Sequence, residues 1–154
     1  MTNVTVSPLQ ERINADLRQA MLARNDVAKL ALRAVKTALT EASKAGADHA
    51  LSEEQVLAAI RREVKRRRDA ATEYEKVGAT AKAEAEMAEA TILEKYLPAE
   101  LSEAQVEEIV RAVIAELGAT SMRDMGKVMA AAMTRVNGLA DGKVVNQVAR
   151  RLLA

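Results

Sequence analysis

Two Gly-Lys pairs, Gly126-Lys127 and Gly142-Lys143, are the residues whose types and spacing most clearly indicate chemistry. They lie on or beside a turn between two predicted helices, and the second pair opens the later helix. The N–H groups at a helix start, together with a nearby lysine, favour a bound phosphate. Gly138 and Asp141 lie in the same turn. Asp141 also fits a simple helix N-cap, which would be its whole role under a structural interpretation.

Charge is unevenly distributed, although the net charge of the chain is only +1. Residues 99–120 hold five Glu and one Arg, whereas residues 121–154 hold six Lys or Arg and two Asp. The C-terminal segment is therefore basic, as RNA-binding segments often are. Aromatic residues make up 1% of the chain, so stacking on bases is nearly excluded. Any RNA binding would depend on phosphates and shape.

Three helices are predicted to position this chemistry, over residues 103–117, 122–136 and 142–153. In the middle helix the spacing predicts an apolar core stripe that shares its side with Gly126, which would let another helix approach closely. The stripe consists of Met122, Met125, Met129, Met133 and Val136. The other face of this helix carries Arg123 and Lys127, and the polar face of the last helix carries Lys143 and Arg150. If the apolar stripes pack together, these polar faces can join into one cationic patch.

Four more helices are predicted before Pro98. They cover residues 8–23, a segment that starts after Asp26 and stops at Gly46, and residues 53–77 and 81–96. Three helix starts have the S-x-x-Q pattern of a capping box, at Ser7, Ser52 and Ser102. No segment alternates in the way of a half-buried strand. The chain is therefore predicted to be all-α, with an N-terminal four-helix bundle over residues 1–97 and a small three-helix domain over 98–154.

The third helix carries one charged residue inside its apolar stripe, Arg67. Such a residue either pairs with a carboxylate or extends its head to water. We predict pairing with Glu86, Glu89 or Glu94 of the fourth helix. The second and third helices also form a secondary basic face, which either binds RNA or is neutralised by the acidic fourth helix. Its residues are Lys29, Arg33, Lys36, Arg61, Lys65 and Arg68.

Residue patterns for catalysis and for metal or cofactor binding are weak. The chain has no cysteine, and its one histidine, His49, lies in a predicted turn. Residues 138–144 differ from a phosphate loop in length, lack the final hydroxyl residue and follow a helix. No nucleophile–base pair can be assembled, so we expect no catalytic residue, metal or cofactor. Neither a signal peptide nor a membrane span is predicted, so we expect a cytoplasmic protein.

Six segments of the sequence resemble the YqeY family, also called the GatB/YqeY domain, in order and over nearly the whole chain. The last two segments are the most specific. The segments are residues 32–39 (LRAVKTAL), 63–70 (EVKRRRDA), 92–98 (ILEKYLP), 101–107 (LSEAQVE), 124–129 (DMGKVM) and 138–146 (GLADGKVVN).

The resemblance implies an all-α fold in two parts. It also connects the chain to the C-terminal tail of the tRNA-dependent amidotransferase B subunit, which contacts the outer corner of tRNA. In that enzyme the ATP-dependent amidation, with glutamine as amide donor, occurs in a separate domain that this chain does not resemble. By position, the implied RNA contacts fall on Gly126, Lys127 and residues 138–143.

Three functions follow as hypotheses. The first is a stand-alone tRNA-binding accessory protein without an active site of its own. The second is a component that contributes to carbon–nitrogen ligase activity, together with amidotransferase or aminoacyl-tRNA synthetase components. The third is a helical protein-interaction module with the second and third helices as its docking face. The sequence does not predict an oligomeric state.

Overall fold

The structure is a computed structural model that describes residues 6–45 and 50–154. These residues form α-helices and no strand, so the predicted all-α class is confirmed. The helices are α1 (Pro8–Leu22), α2 (Asp26–Ala45), α3 (Glu53–Lys76), α4 (Thr80–Glu94), α5 (Glu103–Leu117), α6 (Met125–Val136) and α7 (Gly142–Leu153). A short 3₁₀ turn, Met122–Asp124, precedes α6.

The chain divides into two compact units, residues 1–97 and 98–154. In the first unit, α3 and α4 pack against each other, α1 packs on α2, and α2 contacts both α3 and α4. In the second unit, each of α5, α6 and α7 contacts the other two. Each unit has its own core of Leu, Ile, Val and Ala side chains.

Helix ends follow the local sequence closely. The Ser52 and Ser102 capping boxes are complete, because each hydroxyl accepts from the N–H of a glutamine whose side chain accepts the serine N–H in return. At Ser7 the hydroxyl accepts from the Gln10 N–H. A further capping box, in which Asp124 takes the place of the glutamine, begins the 3₁₀ turn at Ser121. This extra cap divides the helix predicted over residues 122–136 into a 3₁₀ turn and α6.

Arg67 lies in a largely buried ion network between α3 and α4. Its Nη1 is 2.6 Å from Glu63 Oε2, and its Nε is 3.0 Å from Glu89 Oε2. The side chains of Glu63 and Arg67 are 9% and 11% exposed. Burial acts to lower the Arg67 pKa, but hydrogen bonds to both carboxylates outweigh it and raise the pKa above its usual value. The predicted pairing with Glu89 is confirmed, and Glu63 is an additional partner.

Tyr96, just after α4, connects the end of the N-terminal unit to α1. Its hydroxyl donates to Asp16 Oδ2 at 2.5 Å, and the Arg12 guanidinium lies 4.8 Å from the centre of its ring. Burial and the Asp16 carboxylate together raise the Tyr96 pKa well above its usual value. These contacts hold Tyr96 against α1.

The core face of α6 coincides only in part with the predicted methionine stripe. Val136 is fully buried as predicted, beside Val128 and Ala132, and Met125 and Met129 are partly buried against the same core. Met122 and Met133 are instead 43% and 36% exposed, so the prediction was wrong at these two positions. The short side chains of valine and alanine fill the middle of the core because they let the three short helices pack closely.

His49 and Gly46 lie outside the described residues. Within the part of the chain that the structure does describe, no helix is both long enough and apolar enough to cross a membrane.

Candidate nucleic-acid interface

The first group of predicted site residues lies at the start of α6. Arg123 is in the 3₁₀ turn, and Gly126 and Lys127 are in the first turn of the helix. All three are exposed. A Cβ added to Gly126 would meet no atom within 4 Å, so the predicted role of this glycine in close helix packing is wrong. Nothing inside the described fold requires a glycine here.

The second group lies in the turn between α6 and α7. Asn137 and Gly138 have positive φ angles of 46° and 78°, which end α6 and reverse the chain. The Leu139 carbonyl accepts a hydrogen bond from the Leu101 N–H at 2.7 Å, and this bond ties the turn to the segment before α5. Gly138 therefore has a structural reason to be glycine, whatever else it contacts.

Asp141 is the N-cap of α7, and its carboxylate accepts from the Lys143 N–H at 2.9 Å. The N–H groups of Val144 and Val145 donate to the Asp141 carbonyl. Three N–H groups of the first turn are thus already bonded to Asp141, and its charge opposes an anion there. A phosphate near this helix start would be held mainly by side chains.

The polar face of α7 is an open surface of the C-terminal unit. Gly142, Lys143, Asn146 and Gln147 line a shallow depression of about 360 Å³. Arg150 lies one turn further on, where its Nε donates to Asn146 Oδ1 at 2.9 Å. This bond orients the guanidinium along the same face, so Lys143 and Arg150 are two cations on one side of the helix.

A contact between α6 and α7 links the two groups. A Cβ placed on Gly142 would lie 3.6 Å from Met133 Cε, so α6 contacts the start of α7 there. Gly126 precedes Met133 by seven residues, which places both on one face of α6, about 10 Å apart along its axis. We call Gly126, Met133 and Gly142 the α6–α7 strip. Lys127 and Lys143 each adjoin one of its glycines in sequence.

The six cations of residues 121–154 fall into two sets. Arg135 pairs with Glu116, and Arg151 pairs with Glu103 and Glu107 at 3.4 and 2.9 Å. The hydrogen bonds from arginine hold the pKa of Glu116 and of Glu107 below its usual value; for Glu107 the donor is Arg111, with Arg151 adding its charge. These pairs attach α5 to α6 and α7.

The other set has no carboxylate partner within the described residues. Its members are Arg123, Lys127, Lys143 and Arg150, all of them exposed. The structure therefore separates four available cations from two cations that stabilise the fold. Sequence alone could count the six charges but could not separate them in this way.

Three of the six cations of the secondary basic face are paired with carboxylates. Lys29 pairs with Asp26 at 3.5 Å, Arg61 with Glu54 at 3.8 Å, and Arg68 with Glu94. Of these three pairs, Arg68–Glu94 joins α3 to the acidic fourth helix, whereas the other two lie within α2 and within α3. Arg33, Lys36 and Lys65 form no ion pair within the described part of the chain.

The described residues contain no group of three His, Cys, Asp or Glu side chains that could hold a metal ion. In the same residues, every buried side-chain nitrogen or oxygen atom has a hydrogen-bond partner.

Comparison with protein families gives one match. The family described as Yqey-like protein matches residues 10–153, nearly the whole chain. No curated protein matches the sequence. The match covers all seven α-helices apart from the first two residues of α1, so it includes both compact units. The chain therefore belongs to the YqeY-like family.

Proposed function

We propose that the protein is a stand-alone tRNA-binding accessory protein that holds RNA phosphates on its C-terminal unit. The observation that carries the proposal is a set of four exposed cations that have no carboxylate partner among the residues the structure describes: Arg123, Lys127, Lys143 and Arg150. Phosphate contacts supply most of the affinity of such proteins and need no aromatic platform.

The α6–α7 strip supports the same proposal. A glycine in the first turn of a helix lowers helix stability relative to alanine, by up to about 1 kcal/mol in a helix interior. Gly126 makes no contact that offsets this cost. A low surface between lysines lets a nucleic-acid backbone approach the helix closely. Gly126 and Gly142 leave space beside the helices, and Lys127 and Lys143 next to them supply positive charge for a phosphate backbone.

The family membership leaves the relation to amidation open to experiment. Under this proposal the protein has no active site of its own, and any part in carbon–nitrogen ligase chemistry depends on partner subunits. Amide formation on misacylated tRNA, measured with amidotransferase subunits in the presence and absence of the protein, separates the two roles. A rate that rises only when the protein is added would favour the component hypothesis.

Neutralising two of the four cations tests the interface. We expect Lys127→Gln/Lys143→Gln to weaken tRNA binding by about 10- to 100-fold at roughly 0.1 M salt. The slope of log affinity against log salt should fall in magnitude by about 2, because each lost phosphate contact removes about one released counterion. Fluorescence anisotropy with labelled tRNA across a salt series measures both quantities.

A matched control removes the same charge from the paired cations. Arg135→Gln/Arg151→Gln changes the net charge equally but leaves the four available cations in place. It should retain most of the affinity and of the salt slope. Equal losses in the two double variants would mean that only net charge matters and would count against a defined site.

The Gly126→Ala variant tests whether the RNA backbone approaches α6 closely, because it adds a methyl group without changing the charge of the surface. The added methyl meets no atom of the fold, so the free energy of unfolding should stay the same or rise by up to about 1 kcal/mol. The tRNA affinity should nevertheless fall several-fold, because the methyl holds the backbone away from α6. Urea unfolding and anisotropy measure the two effects. An unchanged affinity would place the RNA elsewhere on the unit.

A further inference from the structure

A groove between α1 and α2 is the second distinctive surface of the molecule. It measures about 460 Å³, with Leu17 and Met21 of α1 on one side. The α2 side consists of Arg33, Lys36, Thr37, Thr40 and Glu41. Leu17 is buried at its base. The family match assigns no role to this groove, and none of its lining residues belongs to the proposed RNA interface.

Large apolar side chains extend from the groove toward the α1–α2 turn. Met21, Leu22 and Leu30 are 48%, 79% and 56% exposed. Leu30 precedes Arg33 by three residues and Thr37 by seven, so it lies on the same face of α2 as the groove lining. Leu22 is the last residue of α1, next to Met21 in the sequence and at the α1–α2 turn. Clustered exposure of this kind marks interaction surfaces, whereas single exposed apolar residues do not.

The rim of the groove is positively charged. Arg33 and Lys36 form no ion pair within the described residues. The one carboxylate in the lining, Glu41, is 3.4 Å from Lys44. Arg18, one turn before Met21 and Leu22 on α1, is exposed and likewise forms no ion pair in this part of the chain. The apolar strip therefore lies between unneutralised cations.

We propose that this groove, with Met21, Leu22 and Leu30, binds an acidic amphipathic helix of a partner protein. Leucine-type side chains of the partner, spaced three and four residues apart, would cover the apolar strip. Its Asp or Glu residues would then face Arg33 and Lys36. This surface, which we call the α1–α2 groove, fits one helix in both its hydrophobicity and its charge.

Two other occupants fit less well. An RNA backbone would leave Met21, Leu22 and Leu30 in water, since phosphates gain nothing from apolar side chains. The acidic helix α5 of a second copy has the right charge, but its apolar residues Val106 and Val110 are fully buried in their own unit. It therefore has no apolar face to offer.

The probe is an 18-residue labelled peptide with leucines at i, i+3, i+4 and i+7 spacing and glutamates on the flanks. Two matched peptides accompany it, one with lysine for every glutamate and one of scrambled order. The full-length protein should bind the acidic helix, with at least 10-fold weaker binding of both matched peptides in anisotropy titrations. Failure to bind the acidic helix, or equal binding of all three, would overturn the proposal.

Two variants assign the binding to the groove. Leu22→Ser/Leu30→Ser should weaken binding of the acidic peptide at least 10-fold, while Leu117→Ser, at a similarly exposed leucine of α5, should leave it unchanged. Arg33→Glu/Lys36→Glu should reverse the preference toward the lysine peptide. Circular dichroism checks that each variant is folded. We expect all of them to fold, because the substituted residues lie at the surface. Peptide binding that none of these changes affects would show that the groove is not the site.

The same variants distinguish the other occupants. If Arg33→Glu/Lys36→Glu also abolishes tRNA binding, the surface belongs to RNA and the proposal is wrong. If light scattering shows a dimer that Leu22→Ser/Leu30→Ser converts to a monomer, the occupant is a second copy and the proposal is equally wrong. Unchanged tRNA affinity and an unchanged mass, with weakened peptide binding, support the partner helix.

Discussion

Replacing Arg67 by methionine should lower the free energy of unfolding by about 3 kcal/mol. The substitution keeps an unbranched apolar stem but removes the guanidinium group, and with it the charge between Glu63 and Glu89. Glu63 is then a buried carboxylate without its nearest partner, since Arg67 Nη1 contacts both its Oε2 and its backbone carbonyl. Arg66, 3.4 Å from the other Glu63 oxygen, compensates for only part of the loss because it is itself exposed.

Urea unfolding followed by circular dichroism measures this effect, and two further variants test its cause. Arg66→Met removes an exposed partner of the same carboxylate and should cost less than about 1 kcal/mol. Arg67→Met/Glu63→Leu removes both buried charges, so it should recover much of the stability lost in the single variant. A double variant as unstable as Arg67→Met would mean that packing around the guanidinium stem, and not the unpaired charge, is responsible.

Arg67 and Glu63 show which ion pairs of this fold the helical periodicity of the sequence can predict. Helical periodicity placed Arg67 inside an apolar stripe, and a charge there needs a partner, so the pairing with α4 could be predicted. Glu63 lies four residues earlier on the same face, and that spacing was the available signal for the second partner. Which carboxylate of α4 pairs with Arg67 depends on how the two helices align, and sequence periodicity does not give that alignment.

Helix ends were predictable for a similar reason. Capping serines, Pro8 and the positive-φ positions act within a few residues, so the bounds of α5 and α7 follow directly from the sequence. The end of α4 at Glu94 precedes the predicted Tyr96, because Tyr96 takes part in the contact with Asp16 and Arg12. A contact between residues 80 positions apart has no local signal.

The sequence predicted which cations lie in the C-terminal segment, but not which of them pair with carboxylates. The sequence gives six cations in the C-terminal segment, and only the fold assigns Arg135 and Arg151 to the glutamates of α5. The methionine stripe was right for Val136, Met125 and Met129 and wrong for Met122 and Met133. Hydrophobicity alone does not distinguish a side chain that packs into a core from one that stays at its exposed border. Met133 instead lies against the start of α7, where a Cβ placed on Gly142 would be 3.6 Å from its Cε.

The Val145→Asp variant should unfold the C-terminal unit and leave the N-terminal unit folded. Val145 is fully buried in the core of α5, α6 and α7, so the substitution places a carboxylate among apolar side chains. The cost, several kcal/mol, is comparable to the total stability of a domain of this size. Helical circular dichroism should fall by about a third, since α5, α6 and α7 have 15, 12 and 12 residues.

Leu117→Asp is the matched control, because it adds the same carboxylate at a half-exposed position of the same unit and should keep both units folded.

If the two cores are independent, limited proteolysis of Val145→Asp should yield a resistant fragment that ends near Pro98. That variant should lose tRNA binding yet still bind the acidic peptide, because the two proposed surfaces belong to different units. Complete unfolding of Val145→Asp would instead show that the units form one cooperative fold. Retained tRNA affinity in a variant with an unfolded C-terminal unit would exclude the α6–α7 surface as the RNA site.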